Sequence, residues 1–253
     1  MTNLNPYETD SLLEEYLLLH YGDAETILPW SFGPRETLGF PVRCVRELIK
    51  PVSGARALEL GCSVGRASFE LSSFCSEVVG IDTSQRFIAE AQRLSQERTA
   101  RFSFTVEGEI QETSQAELPP ECRPDRVSFE VGDATDLRSD LGQFDIVLAA
   151  NLLCRVPDPQ AVLNRLPALV KPAGQLVLTS PYTWLEEYTP REHWLGGFWR
   201  GGEAVRSLDS LREALEISFE LEQTHDMPFM IREHARKFQW SVAQATVWRR
   251  RNE

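Results

Sequence analysis

Glu59, Gly61, Gly65 and Asp82 are the residues whose types and spacing most directly suggest chemistry. They lie in the runs ALELGCSVG, 57–65, and VVGIDTS, 78–84. A short apolar run ends in a turn bracketed by glycines, Arg66 to Phe74 reads as the helix after it, and a second apolar run ends on an acid. Such a turn bends sharply and lets a ligand reach the backbone with no β-carbon in the way. Asp82 stands 23 positions after Glu59, where a doubly wound sheet sets a carboxylate against ribose hydroxyls. Ser63 and Arg66 occupy the places where the fingerprint GxGxxG needs its second and third glycines, which disfavours a pyrophosphate.

A nucleoside without phosphates fits better. The pattern (D/E)xGxxxG led by Glu59 resembles the first motif of class I S-adenosylmethionine (SAM)-dependent methyltransferases, with Ser63 replacing the usual middle glycine. Asp133 and Ala134, after the apolar run 127–131, stand where that fold contacts adenine; an Asp-initiated turn is the plainer reading of the same residues. Asn151 follows the next apolar run, at the carboxyl end of a strand, where ligands of open α/β sheets gather. Its context, ANLLCRV, lacks the (D/N)PPY-like signature of enzymes that methylate nucleobase amines.

The segment SPYTWLEEYTPREHWLGGFWRGGE, 180–203, is dense in aromatics and reads as a substrate wall, or else as an aromatic cover for the sheet. HDMPFMIREHARKFQWSVAQATVW, 225–248, gathers His225, Asp226, Arg232, Glu233, His234 and Arg236 into what reads as one turn region. Two histidines nine residues apart are poor ligand geometry, so no metal is expected there. Substrate binding, proton removal or a solvated charged turn are the remaining readings.

Strand and helix must alternate to hold these groups. The pattern over 55–180 predicts a parallel sheet with helices on both faces. Helices are expected over 9–21, from Pro41 to Ile49, over 84–99 with Ser84 as cap, and over 158–170. The region 101–125 reads as an insertion with one extra strand and a polar, proline-rich connection. Segments 214–226 and 236–250 read as two final strands forming an antiparallel edge hairpin. Residues 1–50 would form an N-terminal helical cap and 51–253 the core, with the substrate loop near 181–203.

Composition narrows the partners. At 253 residues with 42% hydrophobic composition, the chain can bury a full α/β core. A net charge of −12 disfavours nucleic acid, which needs clustered Lys and Arg. Five scattered cysteines without a CxxC read as reduced thiols. No run is long enough to span a membrane and no signal-peptide pattern is present, so a cytoplasmic protein is expected.

Nearly the whole chain resembles one family, the mercaptohistidine methyltransferase domain at the C-terminus of ovothiol synthases. The resemblance runs through YETDSLLEEYLLLHYG, LPWSFGPRETLGFPVRC, ALELGCSVGRASFEL, GDATDL and MPFMIREHARKFQWSVAQATVW. It implies a class I methyltransferase, with a Rossmann-like, mostly parallel seven-stranded sheet. It also implies methyl transfer from SAM to an imidazole nitrogen of 5-thiohistidine, giving ovothiol A. The length leaves no room for the iron-dependent sulfoxide synthase domain fused upstream in many relatives, so a separate protein is expected to supply the thiohistidine. SAM would be held by Glu59, Gly61, Cys62, Ser63, Gly65, Asp82, Thr83, Asp133, Ala134 and Asn151. Substrate contacts are expected from Tyr16, His20, Tyr21, His193 and Arg232, and catalytic roles from Tyr182, His234 and Glu233. Another amino-acid-like acceptor, or a non-catalytic partner protein of the same fold, are the alternatives.

Overall fold

Residues 6–252 are described by the computed structural model. Three helices come first: α1 (Asp10–Tyr21), α2 (Ala24–Ile27) and α3 (Phe40–Arg46). The core then runs β1 (Arg56–Leu60), α4 (Arg66–Leu71), β2 (Glu77–Asp82) and α5 (Gln85–Glu97). Next come β3 (Thr99–Glu107), β4 (Ile110–Glu117), β5 (Val127–Val131), β6 (Phe144–Ala150), α6 (Pro159–Leu169) and β7 (Val170–Ser180). The chain closes with β8 (Phe198–Arg200), β9 (Glu203–Val205), α7 (Ser207–Leu215), β10 (Phe219–His234) and β11 (Lys237–Arg250).

The helices begin where the sequence can satisfy their free N–H groups. Ser84 Oγ accepts from the N–H of Phe87, and Asp158 Oδ1 accepts from that of Ala161 ahead of a proline-led first turn. The central strands carry continuous apolar runs because helices cover both sheet faces; Leu58, Leu60, Ile146, Val147 and Leu148 are fully buried. Seven strands form one sheet in the order β10-β11-β7-β6-β1-β2-β5. The five from β7 to β5 are parallel; β11 adds antiparallel to β7 and β10 antiparallel to β11, so β10 again runs with the five. This is the expected class I methyltransferase architecture. The order steps outward in both directions from the β1–β6 pair, opening a crevice at the strands' carboxyl ends.

Two regions differ from the sequence reading. Residues 99–117 hold two strands, β3 and β4, paired as a separate antiparallel ribbon. Only Ala116 of β4 is buried, so that strand shows no apolar alternation and reads as a polar connection. The edge hairpin is also longer and later than expected. Much of the segment 207–218 is helix α7, β10 continues through His234, and the turn is Ala235–Arg236 alone. His225, Asp226, Arg232, Glu233 and His234 therefore lie on a strand, with alternate side chains on opposite faces. β11 pairs with β7 only from Gln244 to Arg249, so the distal half of the hairpin overhangs the sheet's carboxyl end. Its tip is tied down by Trp30, whose indole N–H donates to Ala235 O at 2.9 Å, and by Ala235 N–H to Val106 O at 3.1 Å.

All five cysteines are buried and unpaired. Among the described residues, no helix is long and apolar enough to cross a membrane.

Candidate functional site

The glycine turn and Asp82 form one braced unit. Asp82 Oδ2 accepts from the Ser63 N–H and Oδ1 from the Ser84 N–H, both at 2.9 Å. This carboxylate thus fixes the turn after β1 and the start of α5 while facing the crevice. Gly61 and Gly65 have φ of +73° and +83°, in the left-handed region. A β-carbon at Gly65 would meet the Phe129 ring at 2.5 Å, so this glycine serves packing behind the turn rather than ligand approach. Non-glycine residues in left-handed backbone include Ser63, Asn151 and Tyr182, which follow β1, β6 and β7 at the carboxyl end of the sheet. Strained backbone of this kind gathers at binding sites.

A cavity of about 740 Å³ opens over these strand ends. Glu59, Gly61, Ser63, Asp82, Thr83, Asp133, Ala134 and Asn151 all line it, as the sequence reading requires of a cofactor cleft. Cys62 and Gly65 are not on its wall; Cys62 is wholly buried behind the turn. Asp133 Oδ1 accepts from Thr135 N–H at 2.8 Å, so the acid caps its own turn and also faces the cavity. Asn151 N–H donates to Thr179 O at 2.9 Å, locking the end of β6 to β7.

Burial sets the protonation of the acids here. Glu59 is buried, accepts a hydrogen bond from Ser68 Oγ, and is pushed up to about 8 by desolvation. Desolvation also raises Asp82 against the opposing pull of its backbone donors. Both would be drawn toward the ionised form by a cationic ligand.

The opposite wall comes from segments distant in sequence. Tyr7 and α1 supply Tyr7, Tyr16 and His20; α3 supplies Phe40 and Pro41; the loop after β7 supplies Pro181, Glu187 and Tyr188; the overhanging hairpin supplies Phe229 and Ile231. Desolvation lowers His20 to about 3, with Arg66 adding to the effect, so its imidazole is neutral. Its Nδ1 is buried without a hydrogen-bond partner. Tyr16 is pushed up to about 12 by burial and stays a phenol.

Several expected substrate groups lie elsewhere. Arg232 is on the hairpin face opposite Phe229 and Ile231; it donates to Thr26 O and stacks on Phe104, 5.0 Å from the ring centre. Glu233 pairs with Lys237 at 2.6 Å, and His234 Nδ1 accepts from the Arg236 N–H. Tyr21 donates its hydroxyl to Val64 O at 2.8 Å, bracing the glycine turn from outside the cavity. Tyr182 donates to Gln244 Oε1 at 3.0 Å and packs against the core, while its neighbour Pro181 lines the cavity. His193 Nδ1 sits 2.8 Å from Pro157 O, on the surface. Of the expected substrate and catalytic residues, Tyr16 and His20 are on the cavity wall. Sequence reasoning missed Tyr7, Arg155, Tyr188 and Phe229; strand alternation from Phe229 to Ile231 is the signal that could have found the hairpin's inward face.

This sheet order and cleft define the class I SAM-dependent methyltransferase fold. Two family models, each described as a methyltransferase domain, match residues 58–176 and 120–233. A ubiquinone biosynthesis O-methyltransferase of Coxiella burnetii is 26% identical over 129 residues, 51% of this chain and 44% of that protein. A magnesium-protoporphyrin O-methyltransferase of Rhodobacter capsulatus is 32% identical over 117 residues, 46% of this chain and 41% of that protein. The chain thus spans about half the length of the relatives it matches. Among solved structures, a SAM-dependent methyltransferase of Methanosarcina mazei has a TM-score of 0.55 at 18% identity, covering 83% of this chain and 97% of that one. The [4+2]-cyclase SpnF has a TM-score of 0.61 at 16% identity, covering 98% and 95%. These neighbours share the fold.

Methyltransferase domains and such neighbours imply SAM as the cofactor. The cleft fits it. Asp82 and Asp133 offer acceptors for ribose and adenine, and Ser63 Oγ is buried on the cavity wall with no partner. Such a buried, unpaired hydroxyl is costly unless a ligand completes it.

Proposed function

We propose that this protein is a SAM-dependent methyltransferase acting on an imidazole nitrogen of 5-thiohistidine, giving ovothiol A. The supporting observation is one of convergence. All five segments that carry the family resemblance put residues on the same cavity: Tyr16 and His20, Phe40 and Pro41, Glu59 with Gly61, Ser63 and Ala67, Gly132 to Ala134, and Phe229 with Ile231. Of these, the segments carrying Tyr16 and His20, Phe40 and Pro41, and Phe229 with Ile231 build the wall facing the cofactor cleft, where a methyl acceptor must sit. The acceptor is a small molecule in this reading, and a separate sulfoxide synthase supplies it.

SAM supplies an electrophilic methyl group on a sulfonium when bound. The chain's own task is to orient the acceptor and exclude water. Holding nucleophile and electrophile in attack geometry is worth up to about 7–11 kcal/mol in ideal cases. The acceptor's sulfur is the softer nucleophile, so the wall must aim the ring nitrogen inward and hold sulfur aside with hydrogen-bond donors. Tyr16, held as a phenol, and neutral His20 are polar groups on that wall suited to this. With His20 held down to about 3, the ring proton leaves to solvent, and the departing thioether needs none. O-Methylation is named for the relatives above, which align over about half of their length.

Purified protein with SAM and 5-thiohistidine should yield ring-nitrogen methylation by mass spectrometry. Histidine should react poorly, by at least about 10²-fold, because the donors meant for sulfur are left unpaired. Methyl on sulfur, equal turnover of histidine, or no transfer to thiohistidine sinks this reading.

A further inference from the structure

Arg155 follows β6 and is, among the described residues, the one Lys or Arg on the cavity wall. Its Nη1 donates to the carbonyls of Cys154 at 3.1 Å and Thr183 at 3.0 Å. Its guanidinium carbon lies 4.7 Å from the centre of the Tyr188 ring. Two carbonyls and one ring face therefore fix the guanidinium plane. Cys154, Tyr7, Tyr16 and Tyr188 act most on its charge, and among the described residues it makes no ion pair with a carboxylate. The hydrogen bonds engage Nη1 alone, leaving the Nε–Nη2 edge, the edge that matches a carboxylate in a two-point fork.

A half-buried cation without an anion is an incomplete pair. The other charged groups on the wall are Glu59, Asp82, Asp133 and Glu187. The first three belong to the glycine turn and the nucleoside cleft. Glu187 is exposed at the rim, next to the Tyr188 on which Arg155 lies. We infer that Arg155 anchors the carboxylate of an α-amino-acid methyl acceptor, with Glu187 meeting its ammonium group. The inference rests on the methyltransferase reading and deepens it by naming what grips the acceptor's amino-acid end. SAM also carries a carboxylate. The S-adenosylhomocysteine arm of the test below separates that carboxylate from the acceptor's.

The test is calorimetric titration in the presence of S-adenosylhomocysteine, using 5-thiohistidine and its decarboxylated analogue. Wild type should prefer the carboxylate-bearing ligand by about 10- to 150-fold, the range for charged hydrogen bonds. Arg155→Met should bring the two ligands to near-equal affinity while S-adenosylhomocysteine binding stays unchanged. Arg155→Lys, which keeps charge without the fork, should fall between and controls for a folding failure of the first variant. An unchanged preference in both variants, or a loss of S-adenosylhomocysteine affinity in place of acceptor affinity, overturns the inference. If thiohistidine does not bind, the other free amino acids and their decarboxylated forms are titrated likewise. An Arg155-dependent preference for one of them keeps this inference and overturns the thiohistidine reading. Binding of none overturns both.

Discussion

Asp82 does more than face the cavity. As a strand-end acid it is expected from sequence to carry little packing, yet it is half-buried and accepts from two backbone N–H groups. Asp82→Ala should weaken SAM binding by about 1.5–3 kcal/mol and also lower folding stability by about 1–3 kcal/mol, since two donors lose their partner. Calorimetry and urea unfolding read the two effects separately; unchanged SAM affinity in a folded mutant overturns the ribose assignment. Glu59 carries a pH dependence. Its carboxyl titrates near 8 in the folded state against 4.5 for an unburied glutamate, so the folded state binds its proton more tightly. The stability it contributes is full below the unfolded value and is lost as pH rises through about 8. The ligand-free protein should therefore lose several degrees more of Tm between mildly acidic and mildly alkaline pH than Glu59→Gln, whose amide can still accept from Ser68. Parallel Tm curves for the two proteins would contradict a neutral, buried Glu59.

The edge hairpin shows how legibility depends on burial. β1, β2 and β6 were readable because helices on both faces demand largely apolar runs there. β10 was not. Residues from Glu222 to Asp226 are exposed or nearly so, and the apolar pattern resumes only where the strand overhangs the sheet. Glu59, Asp82, Asp133 and Asn151, expected at strand ends, line the cavity for the same reason. Placing Arg232, Glu233 and His234 on the acceptor wall would have required knowing which hairpin face turns inward. That face is set by contacts with Phe40 and α1, which no local pattern records. The tie through Trp30 gives a test. Trp30→Phe keeps an aromatic side chain but removes the indole N–H that bonds Ala235 O, costing about 0.5–1.5 kcal/mol for the hydrogen bond. We expect faster amide exchange over residues 228–238, a raised KM for the acceptor, and SAM affinity close to wild type. A hairpin unchanged in exchange would mean that Arg43, which donates to Pro228 O, and Arg232 suffice to hold it.

The cavity is assembled from both termini of the chain and its middle, and this makes ligand binding a property of the entire fold. A site formed by one βα unit would transmit little beyond that unit. Here Tyr7, Tyr16 and His20 precede the core, Pro181 to Tyr188 leave its fifth parallel strand, and Phe229 and Ile231 come from the final hairpin. A ligand that fills the space between them favours only conformations in which all three are docked, and linkage converts its affinity into stability. At a hundredfold excess over Kd, one ligand adds about 2.7 kcal/mol. For a domain of this size that raises Tm by about 5–11 °C. S-Adenosylhomocysteine alone should give such a shift and slow amide exchange mainly around the glycine turn and residues 82–84. Adding 5-thiohistidine should then slow exchange together in residues 7–20, 182–190 and 227–233, three stretches that touch through the cavity. Hydrogen-exchange mass spectrometry of the two complexes decides it. If the acceptor protects only one of these stretches, it binds against that segment alone, and the common wall is a packing feature rather than a substrate site.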